Sequence, residues 1–198
     1  MSEIFLICRG FEFGRYHVPA FEVRANEVVA LQLPAGFEAA SQLAANLTGL
    51  VPRSEIEIRG RCVVAERADP PPDWRRWFSD PTPDRWLTSK CFSPDEAATV
   101  LNRHNIDKRH RLSRYPATTR TLLGLEVAFH SNPSVVVFNT SGLDPLGELA
   151  VQELVRSNLS RTSAVYLATP FLSQGVRHRR LMPGSVEVEI AVRPSVTV

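Results

Sequence analysis

The chain has 198 residues, enough for one domain with a full core, and its 43% hydrophobic and 22% charged content is that of an ordinary globular protein. A formal charge of +2 is too small to argue for a nucleic-acid partner, and three widely spaced cysteines, Cys8, Cys62 and Cys91, do not make a disulfide framework. No apolar run reaches the ~20 residues that span a bilayer, and MSEIFLICRGFEFG lacks the pattern of a signal peptide. The expectation is a cytoplasmic protein with reduced thiols, Cys8 in its core, and contact with a membrane only through a partner.

Residues 3–8, EIFLIC, read as an opening strand. FEFGRYHVPAFEVRANEVVALQL first alternates apolar and polar residues and becomes almost wholly apolar at Val28–Leu33. This pattern predicts antiparallel strands feeding a buried central strand. After Pro34-Ala35-Gly36, FEAASQLAANLTGLVP carries apolar residues at helical spacing and stops at Gly49 and Pro52. EIEIRGRCVVAE, residues 55–66, alternates again as a hairpin would.

DPPPDWRRWFSDPTPDRW, residues 69–86, holds five prolines and all three tryptophans, Trp74, Trp77 and Trp86. So many prolines predict no regular element there. The aromatic surface predicts a loop that covers the core or meets a partner. Ser93-Pro94-Asp95-Glu96 has the form of a capping box with proline at the first helical position, opening a helix to about Arg103. NRHNIDKRHRLSRYP is basic and irregular. ATTRTLLGLEVAFH, residues 117–130, reads as a helix burying Leu122, Leu125, Val127 and Phe129. SVVVF is a second buried strand of parallel type. Asp144 can cap the next helix, with Pro145 at its first position. SAVYLATPF is a third buried strand. After the basic run VRHRR, Pro183-Gly184 predicts a turn into one further strand, VEVEIAV. Strands alternating with helices predict an α/β fold with a mainly parallel sheet and an antiparallel β portion at the N-terminus.

The order of these parts resembles the ATP-binding domain of ABC transporters across nearly the whole chain. Asn26-Glu27 stands where that family has Gly-Glu before its first core strand. Asn46-Leu47-Thr48-Gly49-Leu50 is similar to the stretch after the P-loop helix. Ser141-Gly142-Leu143-Asp144-Pro145 matches the D-loop, and Phe78-Ser79-Asp80-Pro81 is similar to the Q-loop with Ser79 in place of glutamine. The resemblance implies a P-loop NTPase-like ABC core, one domain over 1–198, with a helical arm reduced to about 79–116.

The departures from the family fall on the nucleotide chemistry. A P-loop needs glycines to let backbone N–H groups close on phosphates, and a lysine to reach them. On GxxGxGK[ST] this sequence reads Leu33-Pro34-Ala35-Gly36-Phe37-Glu38-Ala39-Ala40. Only Gly36 is kept. Ala39 takes the lysine position, Ala40 the hydroxyl position, and no lysine precedes Lys90. Glu38 adds an acid where phosphates would sit, a repulsion of several kcal/mol at ~4 Å and an effective dielectric of about 20. Asn139 stands where the magnesium-binding acid should be, Thr140 follows in place of the general base, and Pro170 occupies the position of the switch histidine. LSRYP, residues 112–116, resembles the signature LSGGQ with bulky residues for its glycines.

The resemblance and its departures together predict a pseudo-ATPase: a non-catalytic subunit, without catalytic residues, metal or cofactor. It would assemble as a homo- or hetero-dimer with an ABC-type ATPase domain, a transporter membrane subunit, or both. The expected interface is Ser141, Gly142, Leu143 and Asp144 together with Trp74, Trp77 and Trp86. Two alternatives stay open. In one, a divergent NTPase recruits Arg53, Arg59 or the run 177–180 in place of the lysine. In the other, ATP is held without turnover, with Phe13 or Tyr16 stacked on its base. A plain helix cap also accounts for Ser141–Pro145. The histidines show no metal spacing, and no GxSxG elbow is present.

Overall fold

A computed structural model describes residues 3–34, 37–70, 80–168, 171–173, 176–178 and 182–192. The chain divides into two units: 1–64, 132–141 and 157–198 form the first, and 65–131 and 142–156 the second.

The first unit opens on strands β1 (Ile4–Phe13) and β2 (Tyr16–Arg24), an antiparallel hairpin turning at Gly14-Arg15. Leu6, Cys8, Phe11 and Phe13 of β1 and Tyr16, Val18, Phe21 and Val23 of β2 are buried on its inner side. The inward alternation changes phase between Cys8 and Phe11. Gly10 absorbs the change at φ +81, packed against the Val18–Ala20 backbone. Asn26 turns the chain in the left-handed region, which asparagine tolerates, and β3 (Val28–Gln32) follows.

β3 is an inner strand of a five-stranded, all-parallel sheet. Helix α1 (Ala40–Leu47) follows it and buries Leu43, Ala44 and Leu47 in the same core. Strands β4 (Ile56–Ile58), β5 (Cys62–Val64), β6 (Val135–Asn139) and β7 (Ser163–Ala168) come next in this unit. β8 (Phe171–Ser173) and β9 (Val176–His178) form a small antiparallel pair. β10 (Val186–Glu189) and β11 (Ala191–Val192) close the set. The parallel order is β10-β3-β7-β6-β5, and the antiparallel order is β11-β2-β1-β4. β6 and β7 are buried along almost their whole length, as continuous apolar strands of a parallel sheet should be.

The expected hairpin at 55–66 does not form. β4 pairs antiparallel with β1, whereas β5 pairs parallel with β6. The change of sheet takes three residues. The Arg59 amide still donates to Phe5 of the antiparallel sheet, and the Arg61 carbonyl already accepts from Ser134 and Val135 beside the parallel one. Gly60 between them lies so close to the Ser134 side chain that a Cβ would collide with it. VEVEIAV also departs from the single expected strand. β10 lies parallel to β3, Ile190 is buried at the corner, and β11 pairs antiparallel with β2.

The second unit is helical: α2 (Pro83–Ser89), α3 (Pro94–Arg103), a 3₁₀ turn (Leu112–Arg114), α4 (Ala117–His130) and α5 (Pro145–Asn158), whose residues to Arg156 belong here. The capping box forms in full: Ser93 Oγ accepts from the Glu96 amide, and Glu96 accepts from the Ser93 amide at 2.8 Å. α2 corrects the expectation that 69–86 holds no regular element. Proline is tolerated at N1, where its missing N–H has no helical partner anyway, so Pro83 starts a helix and does not prevent one. Leu87, Phe92, Ala97, Val100, Leu101, Ile106, Leu112 and Leu123 form this unit's core. On α4, Leu122 and Leu125 are buried as expected, while Val127 and Phe129 are half-buried.

Candidate functional site

In an open parallel sheet the loops at the carboxyl ends of the strands form the natural ligand crevice. Gln32 of β3 pairs with Ala168 of β7, and Asn139 of β6 pairs with Leu167. β3 and β6 therefore end level with one another on either side of β7, roughly 10 Å apart at two strand spacings. The loop 33–39 leaves the first and the loop 140–144 leaves the second. Of the first unit's sequence-predicted positions, Glu38, Ala39, Ala40, Asn139 and Ser141 follow the strands at this edge, whereas Arg59 precedes β5 at the strands' opposite ends.

The loop after β3 is built from apolar contacts. Leu33 is fully buried and its amide donates to Ala168. Phe37 is buried, its ring 6.0 Å from that of Phe13 in a stacked arrangement and 4.7 Å from that of Tyr16. Phe13 and Tyr16, the candidates for stacking a ligand base, are thus packed against a residue of the loop itself. Glu38 faces solvent, and Ala39 and Ala40 are half-buried against the same apolar core. α1 starts at Ala40 with no side-chain cap on its first amides. Gly36, and Ala35 before it, lie outside the described residues.

The cations considered as substitutes for a lysine have other partners. The Arg53 guanidinium sits 4.4 Å from the Phe11 ring centroid and 5.7 Å from that of Phe13. With the Asn46 amide turned so that donors meet acceptors, Asn46 donates to the Val51 carbonyl and accepts from Arg53 Nε at 3.3 Å. Arg59 pairs with Glu57 at 2.8 Å, and Arg9 reaches the other oxygen of the same carboxylate. That pairing, Arg59 first, holds the Glu57 carboxyl below its ordinary range. The side chains of the run 177–180 lie outside the described residues.

At the end of β6, Asn139 is exposed and its side-chain oxygen accepts from the Ser141 amide at 3.2 Å. Thr140 turns inward. It is buried, and its hydroxyl lies 2.7 Å from that of Tyr166, whose ring stacks on Phe138 at 5.0 Å. Beyond this point Gly142 has φ +79, and Asp144 Oδ1 accepts from the Gly147 amide at 2.7 Å, capping α5 as expected. Ser141, Gly142 and Asp144 are exposed and Leu143 is half-buried. Trp86 is half-buried in the second unit's core, with Lys90 5.7 Å from its ring. Trp74, Trp77, Ser79 and Pro170 lie outside the described residues.

No family model and no curated protein matches the chain in sequence. Solved structures do match it in shape. An inward-facing ABC transporter described as of metal-chelate type superposes with a TM-score of 0.64 at 13% identity, over 91% of this chain and 84% of that one. A nucleotide-free ATP-binding cassette from an ABC transporter gives 0.61 at 12% identity, over 90% and 92%. CbiO1 of Clostridium perfringens, part of the ABC transporter complex cbiONQ, gives 0.57 at 14% identity, over 89% and 88%. The fold is that of an ABC transporter ATP-binding domain.

Within this ABC-type fold, sequence reasoning located the strand ends but missed what fills them. Phe37 was one letter after Gly36, and only its contacts with Phe13 and Tyr16 make it a core residue. The Thr140–Tyr166 pair was also missed, because 26 residues separate its members. The thiols offer no nucleophile: burial pushes the Cys8 thiol up and the Cys62 thiol up to about 11, so both stay protonated near neutral pH. A hollow on the hairpin lined by Ile7, Cys8, Arg9, Ala20, Phe21 and Glu22 has its charged groups paired elsewhere, Arg9 with Glu57 and Glu22 with Arg24. Among the described residues no group of three or more His, Cys, Asp or Glu is placed to hold a metal, and no helix is long and apolar enough to cross a membrane.

Proposed function

We propose that the chain is a non-catalytic ABC-type subunit, a pseudo-ATPase that assembles with a partner ATPase domain, a transporter membrane subunit, or both. One observation carries this reading: in the loop after β3, Phe37 is buried on Phe13 and Tyr16 while Glu38 faces outward. The fold implies ATP with Mg²⁺, and the residues at the strand ends do not fit them. Ala39 and Ala40 offer neither a cation nor a hydroxyl, Glu38 offers a like charge, and Asn139 is a neutral amide engaged with the Ser141 backbone. Arg53 and Arg59 are held by an aromatic pair and a carboxylate.

The same reading makes the chain half of a dimer, peripheral to a membrane through its partner. The interface would centre on Ser141–Asp144 and continue onto α5, where Leu146 is 78% and Leu149 50% exposed one helical turn apart. Calorimetry with Mg²⁺ and ATP on the purified chain, with its mass in solution, tests the proposal. The expected result is no heat of binding at millimolar ATP and the mass of an assembly. Binding in the micromolar range would sink it and favour a divergent NTPase.

A further inference from the structure

The second unit presents a local cluster of cations that has no ion-pair partner among the described residues. Over the whole unit, Lys and Arg balance Asp and Glu at twelve each. Yet Lys108, Arg109, Arg111 and Arg114 lie within seven residues, all exposed, and none of the four side chains makes an ion pair or a hydrogen bond among the described residues. Of the unit's other exposed cations, Arg67 pairs with Asp69, Arg103 with Glu126, and Arg156 with Glu153; Lys90 lies 5.7 Å from the Trp86 ring, and Arg85 stands alone, away from any such run, among the described residues.

The segment that presents these four is held from both ends. Ile106 is buried and its amide donates to Leu101 at 2.8 Å; Leu112 is fully buried and its amide donates to Pro81 at 2.9 Å. Asp107, the only acid in the segment, serves its backbone: its carboxylate accepts from the Arg109 amide at 2.9 Å and its carbonyl from the Tyr115 hydroxyl. The 3₁₀ turn then fixes Arg111 and Arg114, with the Arg114 amide on the Arg111 carbonyl at 3.0 Å. Four cations therefore stand on a pre-ordered backbone, so less ordering entropy opposes binding than in a loose basic tail.

We propose that residues 108–114 are a docking surface for an acidic segment of a partner protein. Three of the four cations are arginines, whose planar forks suit carboxylates in two-point contacts. Two observations separate this occupant from other polyanions. Both apolar residues of the segment, Ile106 and Leu112, are buried, so none is left to enter a bilayer. Tyr115 is tied to Asp107 and half-buried, which leaves the His110 imidazole as the segment's one exposed ring, a narrow platform for successive bases of single-stranded nucleic acid. The surface lies wholly in the helical unit and uses none of the strand-end positions.

The test uses the full chain and a fluorescein-labelled peptide of eight glutamates, with anisotropy read at low and moderate salt. The quadruple variant K108Q/R109Q/R111Q/R114Q is compared with R9Q/R15Q/R24Q/R59Q, which removes the same charge from the first unit. Circular dichroism checks the fold of both. Binding should weaken on the order of tenfold or more in the 108–114 variant and by much less in the control, and should fall as salt rises. Equal losses in both variants, or no binding by the parent chain, would overturn the proposal. So would tighter binding to phosphatidylserine vesicles or to a single-stranded RNA oligomer than to the peptide.

Discussion

Two loops leave the same edge of the parallel sheet, and they differ in what holds them. The loop after β3 has turned inward: Leu33 and Phe37 are core residues, and Phe37 lies against two aromatic rings of the hairpin. The loop after β6 keeps polar, solvent-facing letters, and its Asp144 closes the end of α5 with a single hydrogen bond. The first is stabilised by buried apolar area and the second by local backbone satisfaction.

That comparison predicts a graded set of effects. Phe37→Ala should cost the most, about 3–4 kcal/mol in urea unfolding, because it removes a buried aromatic side chain and opens a cavity beside Phe13 and Tyr16. A loss below about 1 kcal/mol would mean that the ring is not a core element. Next comes a charge test, since both loops keep their acids at the surface. A buried carboxylate lies elsewhere, at Glu126 in the second unit, accepting from Arg103 and His104 at 2.7 Å each. Burial raises its pKa, but the bonds from His104 and then Arg103 outweigh it and hold the carboxyl below its ordinary 4.5. A depressed carboxyl contributes stability that is present above 4.5 and lost as pH falls through the folded value. Glu126→Gln should therefore destabilise by about 2–3 kcal/mol at pH 7, discounted because Arg103 is half exposed, and should flatten the fall in stability below pH 4.5. An unchanged acid profile would move that sensitivity to other groups.

Asp144→Ala should cost about 1 kcal/mol, the value of a helix cap. If the loop after β6 is also an interface, the variant should weaken assembly beyond that loss in sedimentation experiments; stability lost with assembly intact would leave the cap as the residue's whole role. The smallest effect is expected from restoring letters. The double variant Glu38→Gly with Ala39→Lys should still give no heat with Mg²⁺ and ATP, because Phe37 keeps the loop packed inward and Asn139 supplies no acid. Recovered binding would mean that the loop backbone is still shaped for phosphate.

Much of this was legible in the letters. The continuous apolar runs at Val28–Leu33, Val135–Phe138 and Ser163–Ala168 announced strands buried on both faces, and they form three neighbouring parallel strands. Ser93 and Asp144 announced helix starts, because a cap is a local event between residues three apart. The errors fell where one stretch serves two sheets. Residues 55–66 and 186–192 have the alternation of strands, and alternation carries no information about which neighbour a strand will find.

The chain by itself determined its element order, its caps and the residue types that follow the first core strand, since each rests on residue type or on neighbours a few positions apart. Only the tertiary structure decided that β4 and β5 part company, that Phe37 fills the space beside Phe13 and Tyr16, and that Thr140 meets Tyr166. Those facts depend on surfaces that are distant in the chain and are chosen by the packing and hydrogen bonding of the whole unit, which no local pattern records.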